Sequence, residues 1–394
     1  MAVRARYAPD PRPDWAREPS GLTAADCVRA FEETDAYTVG VEEEVMLLDP
    51  ETHDLTPAIE GVYGRLGGDR RYAKELRASM IETVSRVCAT VPEAELELRR
   101  ARADLVAAAS DIACIAAAGT HPRSTRWGDI TPGDRYRAIA ELYPWAATRG
   151  MMCGLHVHVA IGSADRALAV YNAARSYAPE LTALGANSPF FEGHDTGLAS
   201  IRPILNEAFP RAGTPPRLRS WGDFVELLDW GRRGGSFPDA TFLWWEIRPH
   251  PHYGTIELRI PDAATKVEDA GALAAFAQCL LAWLGERHDA GEELPAHDSF
   301  RIGENSWSAQ RYGLDGWLLD LETGEAEPTR ARIQALLGNL EHTAVRLGCA
   351  AQLDHARTLL LDNGAARQRY VHEREGMDGL LDWLVAATHP GDVD

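Results

Sequence analysis

A strand-like run that carries three consecutive glutamates constrains the fold more than any other part of the sequence. Residues 37–48 read Tyr-Thr-Val-Gly-Val-Glu-Glu-Glu-Val-Met-Leu-Leu, a composition typical of a β-strand. Because strands project alternate side chains to opposite faces, Glu42 and Glu44 share one face and Glu43 points to the other. Two carboxylates about 7 Å apart repel by roughly 2 kcal/mol at an effective dielectric of 20. A cation between them would relieve that repulsion, so we predict one wall of a divalent-metal site. A solvated edge strand is the alternative.

The overall composition excludes several classes of protein. The 394 residues are 45% hydrophobic and 25% charged, as in ordinary globular proteins. A net charge of −19 argues against a nucleic-acid-binding protein, which would show a basic patch. Lys74 and Lys266 are the only lysines, and neither follows a glycine, which excludes a Walker-type phosphate loop. Arginines and metal ions would have to neutralise the phosphates of any bound nucleotide.

Cysteine usage and hydropathy predict the cellular compartment. The six cysteines are far apart and form no Cys-x-x-Cys motif, and residues 1–20 are polar with four prolines, unlike a secretory signal. No apolar run approaches the roughly 20 residues of a membrane span. We therefore predict a cytoplasmic protein with free thiols and no membrane partner. Residues 1–36 are expected to form a partly flexible N-terminal arm, and residues 37–394 a single domain.

The remaining pattern mixes short strands with long helices. Residues 80–87, 155–161, 243–248 and 255–260 have the composition of strands, and the last two flank a turn, as in a hairpin. We predict helices from Thr90 to Ala118, from Ser163 to about Ala186 with a kink at Pro179, and from Glu268 to the end with breaks at 294–295 and 322–328. This arrangement predicts the α+β class with a mainly antiparallel sheet.

Further candidate ligands lie on the second and third strands. Glu82 is seven residues after Glu75, a spacing that cannot share one face of a straight strand, so Glu75 would approach from a bend. His156 and His158 share a face, opposite an apolar face. Taken singly, each glutamate could be a surface residue, and a His-x-His pair is weak evidence of a metal site.

Glu257 and Arg259 repeat the same alternation on a later strand. An ion pair on a solvated sheet face is one interpretation, and a metal-ligating carboxylate beside a phosphate-binding guanidinium is the other. The recurrence on three strands favours the second. Several carboxylates with one imidazole suit Mg²⁺ or Mn²⁺ better than structural zinc.

Taken together, these motifs resemble the bacterial glutamate–cysteine ligase type 2, or carboxylate–amine ligase, family, which is related in fold to glutamine synthetase. The resemblance spans residues 38–369. The matching motifs are Gly40-Val-Glu-Glu-Glu44, Glu75-Leu76, Glu82-Thr83, Gly119-Thr-His-Pro122, Cys153-Gly-Leu-His-Val-His158, Ala186-Asn-Ser-Pro-Phe190, Asp195-Thr-Gly-Leu-Ala-Ser-Ile-Arg202, Trp245-Glu-Ile-Arg-Pro-His-Pro251, Glu257-Leu-Arg259, Glu304-Asn-Ser-Trp307 and Arg367-Gln368.

The resemblance implies a curved antiparallel sheet that forms an open funnel flanked by helices, with ATP and Mg²⁺ or Mn²⁺ inside. It implies six metal ligands: Glu42, Glu44, Glu75, Glu82, His156 and Glu257. Arg259 would contact the transferred phosphoryl group, with His158 close by. Arg202, Arg248 and Asn305 also lie in family motifs; nucleotide-phosphate or substrate-carboxylate binding is one interpretation of these positions, and packing or helix capping is the other.

The implied reaction is ATP-dependent formation of a γ-glutamyl amide bond through an acyl phosphate. Glutamate and an amine or amino acid would be the substrates, with cysteine as the default acceptor, and a homo-oligomer is expected by resemblance alone. Two other functions remain open from the sequence. One is a phosphotransferase of the guanidino-kinase kind, and the other is a non-catalytic nucleotide- or metal-binding protein on the same fold.

Overall fold

The structure is a computed structural model that describes residues 19–125, 128–149 and 151–391. Its strands are β1 (Val39–Leu48), β2 (Tyr72–Lys74), β3 (Met80–Val84), β4 (Cys114–Ala116), β5 (Leu155–Ala160), β6 (Phe190–Phe191), β7 (His194–Asp195), β8 (Ile247–His250), β9 (Thr255–Leu258), β10 (Trp317–Leu319) and β11 (Ala326–Pro328). Its α-helices are α1 (Ala24–Glu32), α2 (Ile59–Arg65), α3 (Val91–Ala109), α4 (Asp134–Leu142), α5 (Pro144–Arg149), α6 (Ala164–Ala174), α7 (Ala178–Leu184), α8 (Arg202–Asn206), α9 (Trp221–Arg233), α10 (Val267–Asp289), α11 (Ser299–Tyr312), α12 (Thr329–Arg346), α13 (Ala350–Leu359) and α14 (Gly364–Thr388).

One antiparallel sheet organises the molecule. Its strand order is β2-β3-β1-β5-β9-β8, and β4 pairs with the end of β1. The predicted α+β class with a mainly antiparallel sheet is confirmed. The sheet is open and not curled, with β2 and β8 at its edges, and the expected funnel takes the form of a cavity against one face. The edge-strand alternative for residues 37–48 is wrong, because β1 pairs on one side with β3 and on the other with β5.

The opposite face of the sheet packs on helices. Alternate residues of β1 and β5, among them Val41, Val157 and Val159, are almost fully buried. They belong to a hydrophobic core shared with α3, α6 and α10. Burying one face in this way fixes the strand register, because a slip of one residue would turn the carboxylates of β1 into the core.

Two predicted helices differ from those observed. Thr90 caps α3 as expected, accepting a hydrogen bond from the backbone N–H of Glu93, but the helix ends at Ala109. The chain then forms β4, which pairs with residues 46–48 of β1. A short, fully apolar run such as 113–118 does not reveal its period, so the sequence could not separate a buried strand from a helix.

The second difference lies at the predicted kink. A 3-10 turn at Arg175–Tyr177 separates α6 from α7, just before Pro179. Proline lacks an N–H, and its ring would clash with the carbonyl four residues earlier, which is that of Arg175. The acidic loop at 322–328 also includes β11, which pairs with β10 in a small hairpin.

Part of the expected N-terminal arm is a docked helix. Cys27 and Phe31 of α1 are fully buried, and the ring of Phe31 stacks on Trp221 with a centroid separation of 4.6 Å. Residues 1–18 of the arm lie outside the described residues. The division of the chain at residue 37 stays a prediction.

Helix α10 differs from the expectation that no apolar run approaches the length of a membrane span. Among the described residues it is the one helix long and apolar enough, by length and composition, to cross a membrane. Within its most apolar window, however, 89% of the residues are buried inside the protein. It contacts α3, α6, α12, α13 and β5. A helix that is apolar all round is expected where neighbours cover every side, and α10 is such a core helix.

Candidate active site

Strand register brings the predicted ligands together on one face of the sheet. In β1, Glu42 lies opposite His156 of β5, and Glu44 lies opposite Glu82 of β3. In the next pair of strands, His158 lies opposite Glu257. Side chains of directly opposed residues have Cβ atoms about 5 Å apart. Glu42 and Glu44, although only two residues apart on β1, therefore belong to two different groups of ligands.

The first of these groups, cluster A, consists of Glu42, His156 and Glu257. One ligand atom from each residue lies within 4.8 Å of the other two. The Nδ1 atom of His156 is 3.4 Å from Oε2 of Glu42. Burial acts to raise the pKa of Glu42, but hydrogen bonding to His156 and His158 outweighs it and holds that pKa below its usual value. Burial and the charge of Arg259 lower the pKa of His156, which favours the neutral imidazole that a metal requires.

The second group, cluster B, consists of Glu44, Glu75 and Glu82. Their carboxylate oxygens also lie within 4.8 Å of one another. Glu75 follows the end of β2 and reaches the group from the turn before β3, the approach from a bend that the spacing predicted. Burial and the charge of Glu44 raise the pKa of Glu75 to about 7. Burial, followed by the charges of the neighbouring carboxylates, raises the pKa of Glu82 well above its usual value.

Two guanidinium groups distinguish cluster A from cluster B. Arg259 Nη1 donates to Oε1 of Glu257 at 2.5 Å, and Arg248 Nε donates to Oε2 of the same residue at 2.7 Å. Against the effect of burial, these arginines hold the pKa of Glu257 well below its usual value. In the described part of the chain no ion pair reaches a cluster B carboxylate. Cluster B therefore has the greater unbalanced negative charge.

His158 lies beside cluster A, close to Glu42 and hydrogen-bonded to Thr255. Its Nε2 atom is 3.3 Å from Oε1 of Glu42, and its Nδ1 atom is 3.0 Å from the hydroxyl of Thr255. Burial opposes protonation, but the charges of Glu257 and Glu42 outweigh it and raise the pKa of His158. The imidazole therefore holds a proton more readily than an isolated histidine does.

Glu43 points away from both clusters, as the alternation of the strand predicted. It is fully buried on the helix-facing side, where its carboxylate accepts two hydrogen bonds from the guanidinium of Arg102 on α3. The same guanidinium donates to the carbonyls of Ala264, Thr265 and Thr388. This buried, fully hydrogen-bonded pair ties the centre of β1 to the helical layer.

The position just before β5 requires a glycine, Gly154, because other groups approach its backbone closely. Its N–H donates to Oε2 of Glu44 at 2.5 Å. A Cβ atom at this position would lie 2.1 Å from Nη2 of Arg202 and 3.1 Å from Nε2 of His156. Among the described residues, that Nε2 atom is buried without a hydrogen-bond partner. Only a residue without a side chain lets these groups approach so closely.

The other three predicted residues have different positions. Arg202 lines the cavity and donates to the carbonyls of Arg259 and Ile260, and Arg248 also lines it. Asn305 does not reach the site. Its amide donates to the carbonyl of Leu319 and accepts from the N–H of the same residue, at 2.8 and 2.7 Å. These contacts, and the position of Asn305 away from the cavity lining, favour the packing interpretation for this residue.

A cavity of about 280 Å³ lies against this face of the sheet. Eight predicted residues line it: Glu42, Glu44, Glu75, Glu82, His156, Arg202, Arg248 and Arg259. Glu257 and His158 lie behind this lining. Among the further lining residues, which were not predicted as site residues, are Arg135, Asn206, Phe209, Thr241, Trp244 and Glu246. Strand alternation places Glu246 on the same face as Arg248, so a signal for Glu246 was present in the sequence.

The residues of both clusters fit divalent cations. Carboxylate oxygens with at most one imidazole are the ligands that Mg²⁺ and Mn²⁺ prefer. The three carboxylates of cluster B are crowded together and partly buried, and without a cation such an arrangement is destabilising. A cation held between them would offset that repulsion. The sequence prediction of a single cation between Glu42 and Glu44 is refined, since each of these residues belongs to a separate cluster.

The chain matches a known protein family over most of its length. A family model described as glutamate–cysteine ligase family 2 matches residues 38–387. A protein of Rubrobacter xylanophilus with the provisional name glutamate–cysteine ligase 2-3 is 41% identical over 366 residues, which cover 91% of this chain and 99% of that protein. A protein of Thermobifida fusca with the provisional name glutamate–cysteine ligase 2 is 37% identical over 376 residues, covering 92% and 93% of the two chains.

Solved structures show the same fold at low sequence identity. The glutamate–cysteine ligase of Francisella tularensis, crystallised in complex with AMP, superimposes with a TM-score of 0.66 at 12% identity, over 92% of this chain and 91% of that one. The bifunctional glutathione synthetase of Pasteurella multocida gives a TM-score of 0.63 at 12% identity, over 94% of this chain and 54% of that one.

Proposed function

The chain belongs to glutamate–cysteine ligase family 2 and is an ATP-dependent carbon–nitrogen ligase, and on that premise we propose that it joins the γ-carboxylate of glutamate to an amine through an acyl phosphate. The observation that supports this most is the placement of clusters A and B on one cavity wall, with Arg259 lining the same cavity. Cysteine is the default acceptor by family. A cytoplasmic location and a homo-oligomeric assembly remain predictions.

The proposed reaction has two steps. A carboxylate oxygen of glutamate attacks the γ-phosphorus of ATP and releases ADP, which gives an acyl phosphate. The amine then attacks the acyl carbon, loses a proton and expels inorganic phosphate. Both steps concentrate negative charge on oxygens, and such charge is stabilised best by groups already in position.

The residues of the chain have defined parts in this reaction. Divalent cations held by clusters A and B would neutralise the phosphate charge of ATP. Arg259, which Glu257 and His156 hold in place at 2.5 and 3.3 Å, would contact the transferred phosphoryl group. His158, beside Glu42, would support the same charge. No nucleophilic side chain is needed, which agrees with the complete burial of Cys153.

The proposal predicts glutamate-dependent release of ADP. Purified protein incubated with ATP, Mg²⁺, glutamate and each of the common amino acids and simple amines should release ADP and inorganic phosphate together with at least one of them. Mass spectrometry should then find a γ-glutamyl amide. Omitting glutamate is the matched control and should abolish the release.

Two outcomes would contradict the proposal. ADP release without inorganic phosphate, together with a phosphorylated acceptor, would identify a phosphotransferase. No ADP release with any glutamate–amine pair would remove the assignment of glutamate as the activated carboxylate.

A further inference from the structure

Glu246 lies in the cavity beside the groups assigned to phosphoryl transfer. It immediately precedes β8, two residues from Arg248, and so points to the same face of the sheet. The N–H of Arg259 donates to the carbonyl of Glu246 at 2.8 Å, which places the two residues opposite each other across the strands. Glu246 lines the cavity but is only 8% exposed.

Among the described residues the carboxylate of Glu246 forms no ion pair, although the charge of Arg202 acts to favour its ionised form. The hydroxyl of Thr214 donates to its Oε2 atom at 3.3 Å, and across the described residues no arginine, lysine or histidine forms an ion pair with it. Nearby guanidinium groups have other partners: Arg259 donates to Glu257, and Arg202 donates to backbone carbonyls. Burying a carboxylate with a single weak hydrogen bond costs free energy unless a ligand supplies the missing hydrogen bonds or a positive charge.

The surroundings of Glu246 restrict which kind of ligand can bind to its carboxylate. A phosphate chain would be repelled by the carboxylate. Glu246 is in neither group of ligand atoms described above, so no second protein ligand for a further divalent cation is grouped with it. A primary ammonium group, which has one positive charge and three donors, matches a single carboxylate.

An apolar wall borders the same cavity, and its residue Trp244 is two positions from Glu246 in the chain. Phe209 and Trp244 line it, and their ring centroids are 5.0 Å apart. The guanidinium of Arg211 lies 5.8 Å from the centroid of the Trp244 ring, and Tyr143 packs edge-on against that ring. This wall is fixed before any ligand arrives, and it would exclude water from an ammonium group bound at Glu246.

We propose that Glu246 binds the primary ammonium group of a substrate, with the carbon chain of that substrate against Phe209 and Trp244. The inference rests on the ligase function proposed above, in which both glutamate and the acceptor carry such a group. Burial raises the pKa of Glu246 to about 7, so the carboxylate is largely ionised in mildly alkaline solution, where the binding should be measured.

Calorimetric titrations at pH 8, with Mg²⁺ and a non-hydrolysable ATP analogue present, test the proposal with Glu246→Gln. Glutamate and glutarate, which lacks the amino group, form one arm, and the acceptor amine found for the wild type forms the other. We expect Glu246→Gln to weaken glutamate or the acceptor about tenfold or more, without weakening glutarate. The arm that changes identifies the source of the ammonium group. Glu373→Gln on α14 removes the same charge from an exposed position that does not line the cavity, and it should change neither affinity.

The outcomes separate this inference from the ligase assignment. Unchanged affinities for both ammonium substrates in Glu246→Gln, with wild-type turnover intact, would overturn the role of Glu246 and leave the ligase assignment standing. Affinity for the ATP analogue and the unfolding temperature report whether the variant is folded. Glu246→Asp keeps the charge, and it should retain most of the preference for glutamate over glutarate, or for the acceptor, if the proposal is right.

Discussion

Replacing Glu82 with glutamine is expected to lower turnover about 100-fold or more, the scale of loss when one preorganised electrostatic group is removed, and also to stabilise the metal-free protein. Turnover falls because cluster B loses one of its three carboxylates. Stability rises because glutamine has nearly the same shape but cannot ionise, whereas ionised Glu82 is disfavoured by burial and by the charges of Glu42, Glu75 and Glu44. Steady-state ADP release and thermal unfolding in EDTA measure the two effects.

The pH dependence of the same experiment has a definite sign. The pKa of Glu75 is raised from 4.5 to about 7 in the folded protein, so the native state binds more protons than the unfolded state between these values. The contribution of Glu75 to the free energy of unfolding of the metal-free protein should therefore fall as pH rises through that window. Glu82→Gln should also weaken the pH dependence of stability, because it removes a second carboxyl group whose pKa is raised in the folded protein by burial and by the neighbouring carboxylates.

An exposed glutamate provides the control for these effects. Glu373→Gln on α14 removes the same charge from an exposed position that does not line the cavity. It should change neither turnover nor the unfolding temperature. If Glu82→Gln kept wild-type turnover, or lowered the stability of the metal-free protein, cluster B would not be a charged metal site.

Replacing Arg102 with methionine is expected to reduce the free energy of unfolding by about 3–5 kcal/mol, the usual cost of stranding one member of a buried ion pair. Both Arg102 and Glu43 have side chains with no exposed surface. The substitution leaves the charge of Glu43 unpaired and also removes hydrogen bonds to three backbone carbonyls. Urea unfolding, followed by circular dichroism, measures the loss.

Two further variants isolate the buried ion pair. Arg100→Met on the same helix removes an arginine whose side chain is 51% exposed, and its effect should stay within about 0.5 kcal/mol. The double variant Arg102→Met, Glu43→Met removes both charges and should recover a large part of the lost stability. Failure of the double variant to recover any stability would show that packing rather than the stranded charge dominates.

The buried pair also affects the site. Glu43 lies between Glu42 and Glu44, and a one-residue slip of β1 would exchange the faces of all three side chains. The ion pair with Arg102 opposes such a slip because the charge of Glu43 has its partner only on the helical side. The run Glu42, Glu43 and Glu44 therefore contributes both to the stability of the core and to the orientation of the metal ligands.

The alternation of side chains along strands was the most reliable guide from the sequence. It placed Glu42 with Glu44 and His156 with His158 on single faces, and the structure has both pairs on the cavity side. The division into two clusters could not be predicted in this way. It depends on the register of β1 with β3 and β5, which non-local contacts set.

The differences have physical causes as well. The apolar run at 113–118 forms a strand rather than a helix end because β1 offers it an unpaired edge at residues 46–48, which no local pattern reveals. Asn305 belongs to a family motif, but its amide forms hydrogen bonds with the backbone N–H and carbonyl of Leu319. Motif membership alone does not separate a ligand-binding amide from a structural one.

The most direct test of two cation sites on one cavity wall is a crystal structure with Mn²⁺ and a non-hydrolysable ATP analogue, with anomalous scattering used to locate the metal. We expect one anomalous peak among Glu42, His156 and Glu257 and another among Glu44, Glu75 and Glu82, with the triphosphate between these groups and Arg259. Peaks elsewhere on the protein, or a triphosphate bound away from these side chains, would contradict the assignment of the cavity as the site of phosphoryl transfer.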